Sequence, residues 1–336
     1  MRKVSIIIPV YCVEKYIAEC LQSVIDQTYP YIEAVLVDDC GTDRSIEIVK
    51  KIISDTHKEG LAFKLIHHSQ NQGLSAARNH AMQAATGDYI LFLDSDDKLE
   101  PKCIEHLVKR IEETDADFVV CRHYTDKENI GLGGDLCAPI DMLRTNEECL
   151  HAFAELWFNV TAWCKLVKRS FIEKYNLFFR EGIVNEDAPW TFQLCLNASK
   201  IAFLDEQLYY YRYNSNSIMS SAKKKLVNDS NAIALQIFYD EIIGRPNAWE
   251  NKDLYMIYMR QVVIYYTMTV RQMGLFYHLK KIKWLKSHNY VSSWFESKSI
   301  PITYRIWNQA FKLPSFIAGI LTYTMIKLQS LKRNGI

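Results

Sequence analysis

Gly87-Asp88-Tyr89-Ile90-Leu91-Phe92-Leu93-Asp94-Ser95-Asp96-Asp97 is a short apolar run introduced by glycine and closed by three carboxylates. The apolar part reads as a buried strand. Carboxylates crowded at a strand end repel one another unless a cation or a hydrogen-bonding ligand sits among them. Mg²⁺ or Mn²⁺ is the simplest such cation, a hard ion that takes oxygen ligands and bridges to phosphate. The run therefore points to a metal that carries a diphosphate leaving group. A plainer reading is an acidic loop capping the next helix, predicted from Pro101 to Glu113.

Outward from this run, strands and helices alternate. Val4 to Val10, Ile32 to Val37 and Phe63 to His67 are short and rich in β-branched residues. Between them Glu14 to Gln27, Asp43 to Ser54 and Leu74 to Ala85 carry apolar residues at helical spacing. The alternation predicts an α/β fold with a mainly parallel sheet flanked by helices, and such sheets bind ligands at the carboxyl ends of their strands. The acidic clusters all fall at such ends. Phe118 to Cys121 adds a strand, Lys127 to Asp141 reads as a surface loop, and Asn146 to Phe158 reads as helix. Trp163 to Tyr175, Asn185 to Asn197 and Ile201 to Tyr213 complete the compact part. From about Lys223 the pattern becomes long helices rich in Tyr, Met and Ile. The expected division is a domain over 1–222 and a helical C-terminal extension over 223–336.

The chain has 336 residues, 49% of them hydrophobic, enough for a large core. Its net charge of +1 hides an asymmetry. Arg271 to Ile336 holds eleven Lys and Arg against one acid, Glu296, while the remainder holds 29 basic and 38 acidic residues. A basic tail on an acidic body suggests a polyanionic partner surface, membrane or nucleic acid. The nine cysteines are scattered without a C-x-x-C pair, which favours a reducing compartment and argues against structural zinc. Met1-Arg2-Lys3 and the apolar run after it could mimic a signal peptide, but Pro9 interrupts the run and Glu14-Lys15 closes it.

Two further stretches carry chemistry. Asp38-Asp39-Cys40-Gly41-Thr42-Asp43 ends the second strand, where a carboxylate could accept from a uracil imide or a ribose hydroxyl. Tyr11, ending the first strand, could stack on the base. An ordinary turn with a helix cap explains the same residues. Asn71-Gln72-Gly73-Leu74-Ser75-Ala76-Ala77-Arg78-Asn79 opens the third helix, whose first-turn N–H groups and Arg78 could hold phosphate or ribose. Plain N-capping is the alternative.

Ile8-Pro9-Val10-Tyr11, Val37-Asp38-Asp39, Asn71-Gln72-Gly73 with Ala77-Arg78-Asn79, and Leu93-Asp94-Ser95-Asp96-Asp97 follow in that order. Together they resemble the inverting family 2 glycosyltransferases, which have the GT-A fold, a Rossmann-like nucleotide-diphospho-sugar transferase architecture. The resemblance covers roughly Lys3 to Ser221. It implies a UDP-sugar site lined by Pro9, Tyr11, Asp39, Arg78, Asp94, Ser95 and Asp96, with Tyr11 and Asp39 on the uracil. It implies that Asp94 and Asp96 bind ribose and the Mn²⁺ or Mg²⁺ ion, with Asp97 close to the donor sugar. The chain departs from the family at Cys40-Gly41-Thr42, where Gly-Ser-Thr is usual, and at Cys12, where a polar residue commonly follows the tyrosine.

Ile183-Val184-Asn185-Glu186-Asp187-Ala188-Pro189-Trp190 resembles the family's acidic acceptor-side motif, which makes Asp187 the expected catalytic base and Glu186 its neighbour. A sugar hydroxyl is a poor nucleophile, and a positioned carboxylate that takes its proton contributes about 10²–10⁴-fold. First-turn acids of a helix, favoured by its dipole, fit the same pair. Trp163-Cys164-Lys165-Leu166 resembles an acceptor-side segment in which Trp163 could stack on a sugar and Lys165 could meet phosphate. Arg212, in Tyr209 to Ile218, could contact the diphosphate. His67-His68 lies at a strand end without ligand-spaced partners and reads as structural. No Walker-type loop, G-x-G-x-x-G or G-x-S-x-G is present.

In the tail, the longest charge-free run is the 14 residues Leu313 to Ile326, short of the ~20 a spanning helix needs. Phe316, Ile317, Ile320, Leu321 and Ile326 recur at helical spacing among Lys312, Lys327, Lys332 and Arg333. This reads as an interfacial amphipathic helix on an anionic leaflet; packing on the protein itself is the alternative. The expected enzyme transfers a hexose or N-acetylhexosamine to a lipid-linked glycan, peripheral on the cytoplasmic face of the membrane, with no nucleic acid as partner. A nucleotidyltransferase would want a basic or Gly-rich loop after the first strand, and Tyr11-Cys12-Val13-Glu14 supplies none. A membrane-docked scaffold with a degenerate site would not need Asp39, Asp94, Asp96 and Asp187 intact.

Overall fold

The structure, a computed structural model, describes residues 1–125, 138–214, 224–246, 248–265 and 312–333, with scattered positions between 267 and 310. The loop expected from Lys127 lies, through residue 137, outside the described residues, as does most of the basic stretch after Arg271. The chain divides into two units, 1–182 with 186–220, and 183–185 with 221–336.

In the first unit β1 (Val4–Val10) is buried along its whole length. It pairs in parallel with β2 (Ile32–Asp38) on one side and β4 (Tyr89–Phe92) on the other. β3 (Leu61–His67) continues the parallel half beyond β2. Parallel neighbours need crossover connections, supplied by α1 (Ile17–Ile25), α2 (Ser45–Asp55) and α3 (Leu74–Ala84). Side chains alternate across the sheet: Val4, Ile6, Ile8 and Val10 join one core with residues of α1 and of α4 (Cys103–Thr114), while α3 packs on β1 and β2. Coverage of both faces explains why the strands read as unbroken apolar runs.

Past β4 the sheet turns mixed. The order is β3-β2-β1-β4-β8-β6-β9-β5, with β5 (Lys98–Leu99), β6 (Phe118–Tyr124), β8 (Lys165–Lys168) and β9 (Ile201–Tyr210). β8 runs antiparallel to both β4 and β6. The two-residue β7 (Met142–Leu143) pairs with β9. Neither β5 nor β7 was expected, since two residues carry no periodicity. α5 (Asn146–Ala154) starts with a capping box in which Thr145 and Glu148 bond reciprocally. α6 (Arg169–Tyr175) and α7 (Asp187–Asn197) follow β8.

The predicted first helix begins at Ile17 rather than Glu14, because Val13 to Tyr16 form a turn in which Tyr16 N donates to Val13 O at 2.9 Å. Gly87 is required before β4: a Cβ there would lie 2.7 Å from Ser5 N. The second unit contains helices Lys224–Ile243 and Ser315–Arg333 and a helical run over 252–265 that buries Tyr255, Tyr258 and Tyr265.

Candidate active site

The carboxyl ends of β1, β2, β3 and β4 deliver Tyr11, Asp39, His68 and Asp94 to one edge of the sheet. Main-chain bonds extend the ladders one residue past the strands: Asp39 N to Val10 O at 3.0 Å, His68 N to Asp38 O at 2.9 Å, Leu93 N to Ile7 O at 3.0 Å. Pro9 lies within β1 opposite Val37. Tyr11 keeps 47% of its surface exposed, as a stacking platform requires.

Asp39 is buried, and its carboxylate is held from three sides. Oδ1 accepts from Gln72 N at 2.7 Å and bonds His68 Nδ1 at 2.8 Å; Oδ2 accepts from Gly73 N at 2.9 Å. Gly73 sits at φ +89° where the chain enters α3, a conformation that favours glycine.

Arg78, one turn into α3, is the centre of the site. Its side chain is 1% exposed. Nη2 donates to Asp94 Oδ1 at 2.7 Å, and Nη1 donates to Glu186 Oε1 at 2.7 Å and Asp187 Oδ1 at 2.8 Å. One guanidinium thus ties the end of β4 to the start of α7. Phe92 and Phe179 lie beneath it, at 5.9 and 5.2 Å. The pairing holds Arg78 firmly protonated: burial opposes its charge, but Asp187, Asp94 and Glu186 outweigh it. Three carboxylates against one cation leave negative charge in excess. Burial, then the nearby Asp187, push Glu186 up to about 7. Asp187 is also raised, by burial and Asp94 against the pull of Arg78. Asp187 is the more accessible of the two, with 21% of its side chain exposed against 6% for Glu186.

The rest of the acidic run is held by the end of β9. Asp94 N donates to Tyr209 Oη at 3.2 Å, and Tyr209 Oη donates to Asp97 Oδ2 at 2.7 Å. Arg212 N donates to Asp97 Oδ1 at 2.8 Å and Arg212 Nε to Asp96 O at 2.9 Å, while Asn214 donates to Asp96 Oδ2 at 3.0 Å. Arg212 Nη2 also pairs with Glu19 at 2.7 Å. Burial and then neighbouring carboxylates push Asp97 well up; Asp96 is raised by burial and Asp94 despite its bond from Asn214. Ser95 is buried between them.

Among the described residues no three His, Cys, Asp or Glu side chains are placed to hold a metal by themselves. A hard divalent ion on a diphosphate needs only one or two carboxylates, since phosphate and water complete its shell. Asp94 and Asp96, each bonded to another described residue through one carboxylate oxygen only, could meet that smaller demand.

Several expected contacts are placed differently. Asp97 is 1% exposed, with its carboxylate turned to Tyr209 Oη and the Arg212 main chain. Lys165 is buried rather than at the surface, with Nζ donating to Asn159 O at 2.8 Å and Thr161 O at 2.5 Å. Burial lowers it to about 8. Trp163 is 3% exposed and stacks on Tyr209 and Tyr211 at 4.8 and 5.5 Å, so it has no open face of the kind a sugar needs. Tyr209, Asn214 and Glu19, which hold the acidic run, were not singled out in the sequence. Tyr209 and Asn214 lie in the stretch that carries Arg212, so the signal was adjacency.

Five similarities bear on this arrangement. The family model described as glycosyl transferase family 2 matches residues 5–175. Glycosyltransferase GlyG of Streptococcus pneumoniae serotype 4 is 32% identical over 226 residues, 64% of this chain and 72% of that protein. Poly(ribitol-phosphate) beta-N-acetylglucosaminyltransferase TarS of Staphylococcus aureus is 29% identical over 215 residues, 63% of this chain but 35% of TarS. The crystal structure of S. aureus TarS 1–349 in complex with UDP-GlcNAc superposes with a TM-score of 0.71 at 21% identity, covering 99% of this chain and 92% of that one. Mannosyltransferase PcManGT from Pyrobaculum calidifontis, in complex with GDP-Man and Mn²⁺, gives a TM-score of 0.54 at 17% identity over 96% of this chain and 87% of that one. The family match spans about half the chain and runs from the first strand through the acidic run into α6; this protein belongs to glycosyl transferase family 2.

Proposed function

We propose that this glycosyltransferase moves a hexose or N-acetylhexosamine from a UDP-sugar to a hydroxyl of a lipid-linked glycan, with inversion at the anomeric carbon. The observation that carries the reading is the Arg78 bridge, which sets Asp187 one guanidinium away from the donor-side Asp94. The bound UDP-GlcNAc of TarS favours uracil, and Tyr11 and Asp39 occupy suitable positions at the strand ends.

In this mechanism Asp187 accepts the acceptor hydroxyl's proton as its oxygen forms a bond to the anomeric carbon. The bond from that carbon to the diphosphate oxygen breaks on the opposite side, and UDP leaves with the electron pair. Arg78 orients Asp187 from behind, and burial with the neighbouring Asp94 raises its carboxyl above the ordinary range, which suits a general base. When bound at Asp94 and Asp96, a divalent ion would offset charge developing on the diphosphate. Arg212 stands beside Asp96 and can reach the same charge.

The acceptor's lipid is argued from the second unit. No helix among the described residues is long and apolar enough to cross a membrane. In helix Ser315–Arg333, Ile317, Ile320 and Leu321 are 41–48% exposed at i, i+3, i+4 spacing, whereas Ala318, Thr322 and Ile326 are buried. Ile326 therefore leaves the expected apolar face. The remaining stripe, in a basic stretch, suits an anionic leaflet, each basic residue near the surface adding about 1 kcal/mol.

The test is calorimetric binding of UDP, GDP and CMP, with and without Mn²⁺, to wild type and Asp96→Ala. Metal-dependent UDP binding lost in the variant is the expected result. Absence of metal-dependent binding by all three nucleotides overturns the reading.

A further inference from the structure

His68 is buried at the end of β3, with its Nδ1 2.8 Å from Asp39 Oδ1. Its other nitrogen, Nε2, lies 2.7 Å from His80 Nδ1, and the two rings meet edge to face at 87°. An ionised carboxylate only accepts, so Nδ1 of His68 carries the proton. A neutral His68 then presents a lone pair at Nε2, which the Nδ1–H of His80 fills. With both rings neutral, the chain of donors runs one way: His80 to His68 to Asp39.

This direction fixes what Asp39 can do. A carboxylate has about four acceptor positions. Gln72 N–H, Gly73 N–H and His68 take three among the described residues, two on Oδ1 and one on Oδ2. The one left belongs to Oδ2. With three donors arrayed on it the group cannot rotate, and its open direction is fixed. It remains an acceptor with one open direction. A ring carrying an imide N–H can satisfy that direction, whereas one with a bare ring nitrogen there, as in cytosine, opposes a lone pair to a lone pair.

We propose that the His80–His68 pair is a positioning relay that holds the Asp39 carboxylate in one orientation with a single open acceptor direction, and so sets the preference of the donor site for an imide-bearing base. The proposal rests on the reading of the donor as a uridine nucleotide. It assigns a role to His68, which the sequence pattern left as structural, and to His80, which nothing in the pattern singled out.

The test measures UDP and CDP affinity by calorimetry on full-length wild type, His68→Leu, His68→Asn and His80→Leu. Imidazole ¹H–¹⁵N NMR of the wild type runs in parallel, and circular dichroism checks each variant's fold. Asn places an amide N–H near the position of His Nδ1 and should restore the bond to Asp39. The expected result is both rings neutral with the proton on Nδ1. UDP binding should be about tenfold weaker in His68→Leu, as for loss of a hydrogen bond to a charged group. The UDP-over-CDP preference should shrink with it and return in His68→Asn. His80→Leu should fall between, and it carries the test with His68→Asn if His68→Leu does not fold. A ring protonated on Nε2 alone, or a charged His68, overturns the relay, as does unchanged UDP binding and preference in folded His68→Leu and His80→Leu. Failure of wild type itself to bind UDP overturns the uridine reading, and the relay's purpose with it; that outcome is read without any variant.

Discussion

Glu33 and Glu186 are buried alike, with 7% and 6% of their side chains exposed, at opposite ends of the same parallel strands. Glu33 stands at the amino ends of β1, β2 and β4. It accepts from Thr86 N at 2.5 Å, Thr86 Oγ1 at 2.8 Å and Gly87 N at 3.0 Å, from Ser5 Oγ, and pairs with Lys3 at 3.0 Å. Burial alone would raise it, but Ser5, Thr86 and Lys3 outweigh that and hold it down at about 2. Glu186 has burial and a like-charged neighbour against one shared arginine, and rises to about 7. One end of the sheet satisfies its carboxylate completely. The other leaves charge unbalanced where ligands bind, which is where perturbed groups collect in enzymes.

The largest effect should come from the unbalanced end. Asp187→Asn keeps the shape of the cluster but removes the proposed base. Turnover should fall by about 10²–10⁴-fold while UDP affinity stays within a few-fold of wild type. Equal loss of binding and turnover would mean that Asp187 holds the donor instead. Arg78→Met should come next. Removing one partner of a buried ion pair leaves unpaired charge and costs about 3–5 kcal/mol, read as a lower urea midpoint. Adding Glu186→Gln to that variant should recover part of the loss, because one of the stranded carboxylates is then neutral.

The satisfied end is the smaller prediction. Glu33→Gln puts an NH₂ among Ser5, Thr86 and Gly87, all donors to the native carboxylate, at a cost of about 1–3 kcal/mol. Activity per folded molecule should not change. A variant as stable as wild type at neutral pH would show that the network around Glu33 does not matter.

How much of this was legible in the sequence follows from the physics of each part. Val4 to Val10 and Ile32 to Asp38 are buried on both faces, so their continuous apolar runs identified them directly. Asp94, Asp187 and Arg78 were found from local motifs, but not the bonds that join them, since Arg78 and Asp187 lie 109 residues apart. Trp163 and Lys165 read as ligand contacts because polar and aromatic residues near a motif suggest one. Only the packing of Tyr209 and Tyr211 on Trp163, and the carbonyls of Asn159 and Thr161 around Lys165, give them another role. Glu33 drew no notice because a single acid in an apolar strand has no pattern to belong to.

The two glutamates should also give opposite pH signatures, and this contrast is the finest test of the comparison. Glu33 has a folded value, about 2, below the ordinary 4.5. Its stabilisation is therefore full above pH 4.5 and is lost as pH falls toward 2. Glu186 has a folded value, about 7, above the ordinary 4.5. The folded state then binds more protons than the unfolded one between these values, so stability declines as pH rises from 4.5 to 7. The decline from this one group should be of order 2 kcal/mol. Glu186→Gln should remove it: the variant should match wild type near pH 4.5 and be the more stable of the two above pH 7. Urea unfolding of both proteins across pH 4.5 to 8 reads the difference directly. Parallel curves would mean that Glu186 titrates in the folded protein as it does in the unfolded one, and that Arg78 balances the acidic end as fully as Ser5, Thr86 and Lys3 balance the other.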